Sequence, residues 1–240
     1  MLFLSSQPKV VILCGGKGTR LREETADKPK PMVPIGPMPI LVHIMKIYSR
    51  FGYNDFVLAL GHKGEVIKEY FAENKHPEWS IIFADTGEEA QTGARIKRTE
   101  KYIDSDHFLA TYGDAVSDVD ISKLVEFHRR QGTIGTMTAV HPHSKWGLVK
   151  GGGNGLIEEF VEKPQLYDYV NGGFFVFSKK VFGYIDDSEG EVLEHRPFSR
   201  LVKAGQFSMY RHEGFWHAMD TYKDYLDLNS IYAKGEKKWF

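Results

Sequence analysis

Cysteine is almost missing from this chain. Its 240 residues include one, Cys14, so no disulfide can close within it, and a reducing compartment is the natural setting. An excess of charge of one sign is missing too: 31 Lys and Arg face 32 Asp and Glu, for a net charge of −1. That excludes a globally basic nucleic-acid coat and an acidic disordered tail, but not a local basic site. No apolar run approaches the ~18 residues that would span a membrane. The opening MLFLSSQPK is too short for a signal sequence and has no leading positive cluster. The expectation is a soluble cytoplasmic protein without nucleic-acid or membrane partners. Linkers, low-complexity tracts and internal repeats are also absent, so residues 1–240 read as one domain. What is present is 42% apolar residues and 24 glycines. The first supports a core burying roughly 70–75% of the unfolded surface. The second points to loops in which backbone approaches something closely.

The apolar pattern alternates between short runs and helical periods. Lys9–Leu13 (KVVIL) reads as a buried strand running into Cys14-Gly15-Gly16. Pro39–Phe51 repeats apolar residues with helical spacing and stops at Gly52. Asp55–Leu60, Ile81–Ala84 and His107–Tyr112 read as strands, with a helix over Glu65–Phe71 between the first two. Asp120 can cap a helix with the face Ile121, Leu124, Val125 and His128, ended by Gly132. Thr133–Val140 and Gly172–Phe177 read as strands, Lys150–Gly155 as a hairpin turn, Lys179–Ile185 as a short helix, and Tyr222–Ala233 as the last helix. Strands separated by helices predict an α/β protein with a parallel-rich sheet, made mixed by the hairpin. Ligands of such sheets sit at the carboxyl ends of the strands. Two features lie there: the loop after the first strand, and Gly113-Asp114 after the fourth.

The loop reads Gly15-Gly16-Lys17-Gly18-Thr19-Arg20-Leu21. Glycines let successive backbone N–H groups line up on a phosphate, and Arg20 adds a fork of donors. It is neither a Walker loop, because Gly18 follows Gly16-Lys17, nor a dinucleotide fingerprint, because Leu21 replaces the last glycine. A plain tight turn stays open on the loop alone. In Asp27-Lys28-Pro29-Lys30-Pro31 the alternating prolines predict an extended path with Lys28 and Lys30 on one side. A solvated basic loop is the bland alternative. Asp114 follows an apolar strand at the ligand edge, where a carboxylate calls for a cation, with a turn or helix-capping aspartate as the bland alternative. Asp220 could equally cap the last helix. Cys14 ends a buried strand and reads as an inert core thiol. The ten histidines show no zinc-site spacing.

Taken in order, the blocks GGKGTRLREETADKPKPMV (15–33), DTG (85–87), TGARIKR (92–98), TYGDAV (111–116), EKP (162–164), NGGFFVF (171–177) and GFWHAMDT (214–221) resemble the sugar-1-phosphate nucleotidyltransferases. The later blocks are most similar to the glucose-1-phosphate cytidylyltransferases among them. The resemblance implies a three-layer Rossmann-like fold with a mixed, mostly parallel central sheet. Residues 8–132 would then be the nucleotide-binding half and 133–240 the sugar-phosphate half. It implies that Leu13, Gly15, Gly16, Gly18, Thr19, Arg20, Thr92, Gly93 and Arg95 bind the nucleotide, and that Arg20, Lys30 and Asp114 are catalytic. It further implies that Asp114 and Asp220 hold Mg²⁺, and that Tyr112, Glu162, Lys163, Asn171 and Gly172 bind the sugar phosphate.

The implied reaction takes a nucleotidyl group, cytidylyl from CTP, to a sugar 1-phosphate, glucose 1-phosphate first, and releases pyrophosphate. A different phosphorylated acceptor and a non-catalytic nucleotide-sugar sensor are the alternatives. A sensor would be expected to lose the loop arginine, the lysine or the aspartates, and all are present here. The resemblance also implies a homo-oligomer. One departure bears on that: AENKHPEWSIIFA (72–84) is short where these enzymes carry an insertion that takes part in subunit contacts.

Overall fold

A computed structural model describes residues 7–18 and 21–239. In chain order the elements are β1 (Val10–Leu13), α1 (Arg22–Thr25), β2 (Pro34–Ile35), β3 (Met38–Pro39), α2 (Ile40–Ser49), β4 (Asp55–Leu60), α3 (Gly64–Glu73), β5 (Ser80–Asp85), α4 (Thr92–Arg98), β6 (His107–Tyr112), β7 (Ala115–Ser117), α5 (Ile121–Gln131), β8 (Gly135–Val140), β9 (Leu148–Gly151), β10 (Ile157–Val161), β11 (Val170–Ser178), α6 (Arg196–Lys203), β12 (Phe207–His212), β13 (Trp216–Ala218) and α7 (Tyr222–Ala233).

Seven strands form one sheet in the order β12-β8-β11-β6-β1-β4-β5. Every neighbouring pair is parallel except the two made by β11, which runs against both β6 and β8. This is the mixed, mostly parallel sheet expected of the sequence. The strands are apolar throughout because both faces are covered. On one face Val10, Ile12, Phe56, Leu58 and Val176 pack with α2, α5 and α7. On the other, Val11, Val57, Ala59, Phe175 and Phe177 pack with α4 and α6. Alternate residues of one strand therefore feed opposite cores, and the molecule has three layers.

Local chemistry sets the ends of the helices. Asp120 accepts from Lys123 N at 2.9 Å at the start of α5, and Gly132 ends it at φ +63°. At α7 the capping residue is Thr221, in a reciprocal box with Asp224, and not Asp220. The segment with alternating prolines is not extended throughout. Pro29 is extended, but Lys30–Met32 make a 3₁₀ turn, with Pro31 at a position where its fixed φ suits a first turn. Burial of Pro31 and Met32 favours that turn over the extended path. The expected helix at 179–185 is a 3₁₀ helix over Lys179–Tyr184. The hairpin at 150–155 is the tip of an antiparallel ribbon, β9 with β10, whose residues are exposed on both faces. Among the described residues no helix is long and apolar enough to cross a membrane.

Candidate active site

The carboxyl ends of β1, β4 and β6 point to one edge of the sheet, where a cavity of about 320 Å³ opens. Leu13, Gly15, Gly16 and Gly18 of the loop form one wall. Lys30, Thr92, Arg95, Tyr112, Asp114 and Asp220 line it as well. Gly113 lets the end of β6 approach this closely, since a Cβ there would lie 2.7 Å from Leu13 O and 2.9 Å from Pro31 Cγ.

At the centre, Lys30 Nζ donates to Asp114 Oδ2 at 2.5 Å and to Asp220 Oδ1 at 3.0 Å. The two aspartates, 106 positions apart in sequence, thus face one point. The lysine side chain is only 12% exposed. Burial alone would lower its pKa, but the attraction and hydrogen bonds of the two carboxylates outweigh this, and the pKa is raised. Asp220 can take this role because Thr221 caps α7.

Arg95 enters differently from what a phosphate ligand would suggest. Its guanidinium is buried and donates to the carbonyls of Gly15 (2.9 Å), Leu60 (3.0 Å), Gly87 (2.8 Å) and Glu88 (3.0 Å), and to Thr86 Oγ1 (2.8 Å). It sews the glycine loop to the ends of β4 and β5. A Cβ at Gly15 would overlap its guanidinium at 2.2 Å, so that glycine is required by the arginine. Burial pulls the Arg95 pKa below its usual value. Lys17 pairs with Glu89 at 2.7 Å across the mouth of the loop.

Glu194 carries no motif and was not legible in the sequence. Its carboxylate accepts from Thr92 Oγ1 at 2.7 Å and from the Tyr112 hydroxyl, which in turn accepts from Asn171 Nδ2 at 2.9 Å. Asn171 Oδ1 accepts from Gly173 N at 2.9 Å. This chain ties α4 to β6 and β11, and burial followed by the nearby Glu194 raises the Tyr112 pKa. Gly93 packs against Glu191 O, where a Cβ would come within 2.8 Å.

A second hollow, about 620 Å³, adjoins the first at Asp220 and is lined by His141, Lys145, Lys163, Trp216 and His217 among others. Trp216 Nε1 donates to Gly172 O at 2.7 Å on its border. Lys163 lines this hollow. Its ammonium pairs with Glu162 at 3.3 Å, and both side chains are about half exposed. Lys163 sits at φ +47° before Pro164, a left-handed conformation rare for a side-chain-bearing residue. The structure thus brings Lys30, Asp114, Asp220, Tyr112, Thr92 and the glycines together, and leaves Glu162 and Lys163 to one side. Thr19 and Arg20 lie outside the described residues. Cys14 is fully buried, which pushes its thiol pKa up and leaves it inert.

No group of three or more His, Cys, Asp or Glu suited to a metal exists among the described residues. A pair of carboxylates that already faces one positive charge nevertheless fits Mg²⁺, which uses one or two carboxylates and draws its remaining ligands from water and substrate phosphates.

The model of the nucleotidyl transferase family matches residues 9–235. The chain belongs to the nucleotidyl transferase family. It is 42% identical to a protein of Bacillus subtilis named probable glucose-1-phosphate cytidylyltransferase, over 96% of this chain and 98% of that one. It is 41% identical to the glucose-1-phosphate cytidylyltransferase of Salmonella typhimurium, again over 96% and 98%. Among solved structures, HddC from Yersinia pseudotuberculosis superposes with a TM-score of 0.75 at 24% identity, covering 94% of this chain and all of that one. That likeness speaks to the fold. As a nucleotidyltransferase the protein is an enzyme, and its cavity stands at the sheet edge where α/β proteins bind ligands.

Proposed function

We propose that the protein transfers the cytidylyl group of CTP to the phosphate of a hexose 1-phosphate, glucose 1-phosphate first, giving a nucleotide-sugar and pyrophosphate. The observation that carries this reading is the convergence of Lys30, Asp114 and Asp220 on one point opposite a glycine loop. The two relatives above supply the choice of base and sugar.

The attacking atom is a phosphate oxygen, already ionised at neutral pH, so no general base is required. The poised Ser–His or Cys–His pair of covalent catalysis is not needed either. What remains is positioning and charge neutralisation. The glycine loop offers backbone N–H groups to the triphosphate. Arg95 keeps that loop in shape by holding Gly15, and Arg20 is expected from the motif to add donors. Lys30 offsets the charge that builds on the phosphates. Asp114 and Asp220 would hold Mg²⁺, which would neutralise and align the two phosphate groups. Tyr112 and Asn171 border the acceptor side, and Lys163 brings the anionic sugar phosphate against an anionic nucleotide that would otherwise repel it.

A grid of nucleoside triphosphates against sugar 1-phosphates, read by pyrophosphate release, tests the reading. The fastest pair should be CTP with glucose 1-phosphate. Release from no pair would overturn it, and a faster pair elsewhere in the grid would correct the substrate.

A further inference from the structure

A lysine that is meant for phosphate sits instead between two carboxylates meant for a metal. The geometry of that trio has a consequence. One ammonium offsets only part of the charge of two carboxylates. A triphosphate approaching it meets repulsion from the aspartates as well as attraction from the lysine. Adding a dication makes the local charge more positive, so the cradle then favours a polyanion more strongly.

Lys30 has the means to leave. Its backbone is fixed in the 3₁₀ turn, with Pro31 wedged against Gly113. Its stem starts beside the glycine loop, since a Cβ on Gly18 would lie 3.2 Å from Lys30 Cβ. Three further carbons on rotatable bonds separate that point from the ammonium. The same backbone can therefore aim the ammonium at the aspartates or at the loop, with no movement of β6.

We propose that Lys30 is the resident cation of the Asp114–Asp220 pair: it neutralises the carboxylates until a divalent cation arrives with the nucleotide, and then turns to the phosphates beside the glycine loop. This rests on the reading of the cavity as a polyphosphate site served by a divalent cation. Two consequences follow. The bare cation binds poorly, because it must evict an ammonium held by both carboxylates. Cation and nucleotide help each other, because the phosphates give the displaced ammonium a new partner. The device keeps the metal site closed to stray divalent ions while no substrate is present.

The test uses Mn²⁺ alone as the probe, on the full chain without nucleotide, with binding read by calorimetry. The variant Lys30→Met keeps the stem and removes the charge. It should bind Mn²⁺ at least tenfold more tightly than the wild type, a gain of about 1.4 kcal/mol. Adding Asp220→Asn to it should abolish the gain. Equal affinity in wild type and Lys30→Met would overturn the proposal, as would a gain that survives Asp220→Asn. Lys30→Met leaves two carboxylates facing each other and could fail to fold, so a second readout uses the wild type. Acetylation of Lys30 by acetic anhydride, followed by peptide mass, should be slow without metal and several-fold faster at tens of millimolar Mn²⁺. An unchanged rate would overturn the proposal.

Neither readout needs turnover. A protein that released pyrophosphate from no substrate pair would lose the catalytic reading and keep the ion exchange. An active enzyme with equal Mn²⁺ affinities would lose the exchange alone.

Discussion

Two parts of this molecule carry charged residues that the sequence nominates for phosphate chemistry, and they are held in opposite ways. Lys30, Asp114 and Asp220 stand at the ends of buried elements, and the loop beside them is sewn down by a buried arginine with five hydrogen bonds. Glu162 and Lys163 follow a ribbon, β9–β10, that exposes Leu148, Val149, Ile157 and Phe160 to solvent, and among the described residues their charged groups pair with each other. A charge at the end of a core strand is placed by the core itself. A charge on an arm is placed when something binds. On the proposed reading, the nucleotide end would therefore be built in advance, and the sugar-phosphate end would be assembled around its ligand.

The largest effect is expected at Asp114. Asp114→Asn should lower turnover on the order of 10³-fold, since the cation that Asp114 and Asp220 are proposed to hold, worth several kcal/mol in the transition state, would lose one of those two carboxylates. Its thermal unfolding should stay near that of the wild type, because Lys30 keeps Asp220. Steady-state kinetics beside a melting curve checks both, and retained turnover would remove Asp114 from the site. Next comes Arg95→Ala. It strips donors from four carbonyls and a hydroxyl in a buried setting, and should cost roughly 3 kcal/mol of stability by denaturant titration. A neutral result would mean that the loop is held by something else.

How much of this was legible in sequence follows the same division. The strands of the first half are continuous apolar runs and could be read directly, and the caps at Asp120 and Gly132 follow from single-residue chemistry. β12 (FSMYRH) escaped because an edge strand alternates too weakly with polar residues to stand out. α4 and α6 are short, and their faces are obscured by charged residues that pair elsewhere, as Arg200 does with Asp186. At the site, the glycine loop and Asp114 announce themselves by position after a strand. Glu194 does not, because its meaning lies wholly in two partners 102 and 82 residues away. Arg95 was legible as a site residue but not as a clamp on carbonyls, since backbone acceptors have no sequence signature. The turn at Lys30 was misread as extended because the proline rule is local, and burial of Pro31 and Met32 overrides it.

The built frame should also show in a pH dependence that the arm does not share. His43 is buried, and burial pulls its pKa down to about 4. Its Nε2 donates to Ile35 O at 2.8 Å, and Nδ1 accepts from Trp239 Nε1 at 3.2 Å. Protonation would destroy that acceptor. The folded pKa lies below the unfolded value of ~6.5, so the unfolded chain takes up the proton first. Stability from this residue is therefore complete above ~6.5 and falls as pH drops towards 4, on the order of 2 kcal/mol. Chemical denaturation at pH 7 and 4.5 reads it, and His43→Gln should flatten the slope. An unchanged slope in that variant would remove His43 as the cause. A smaller effect is expected on the arm's side of the active site. Lys163→Ala should raise KM for the sugar phosphate roughly tenfold, the loss of one charge-assisted contact. KM for the triphosphate should change little. If both rose together, the two ends of the cavity would not be separable in the way drawn above.

The smallest effect is the most direct attack on the arm itself. Phe160 is 60% exposed on β10. A side chain that remains in water on folding contributes little transfer free energy, so replacing it with serine should move stability by no more than about 0.5 kcal/mol. A core aromatic gives the scale: truncating Phe175, 1% exposed between two layers, should cost roughly 3–5 kcal/mol. Equilibrium denaturation of Phe160→Ser therefore asks whether the ribbon is as bare in solution as its geometry makes it. A loss well above 1 kcal/mol would mean that the arm is covered, and Lys163 would then be held as firmly as Lys30.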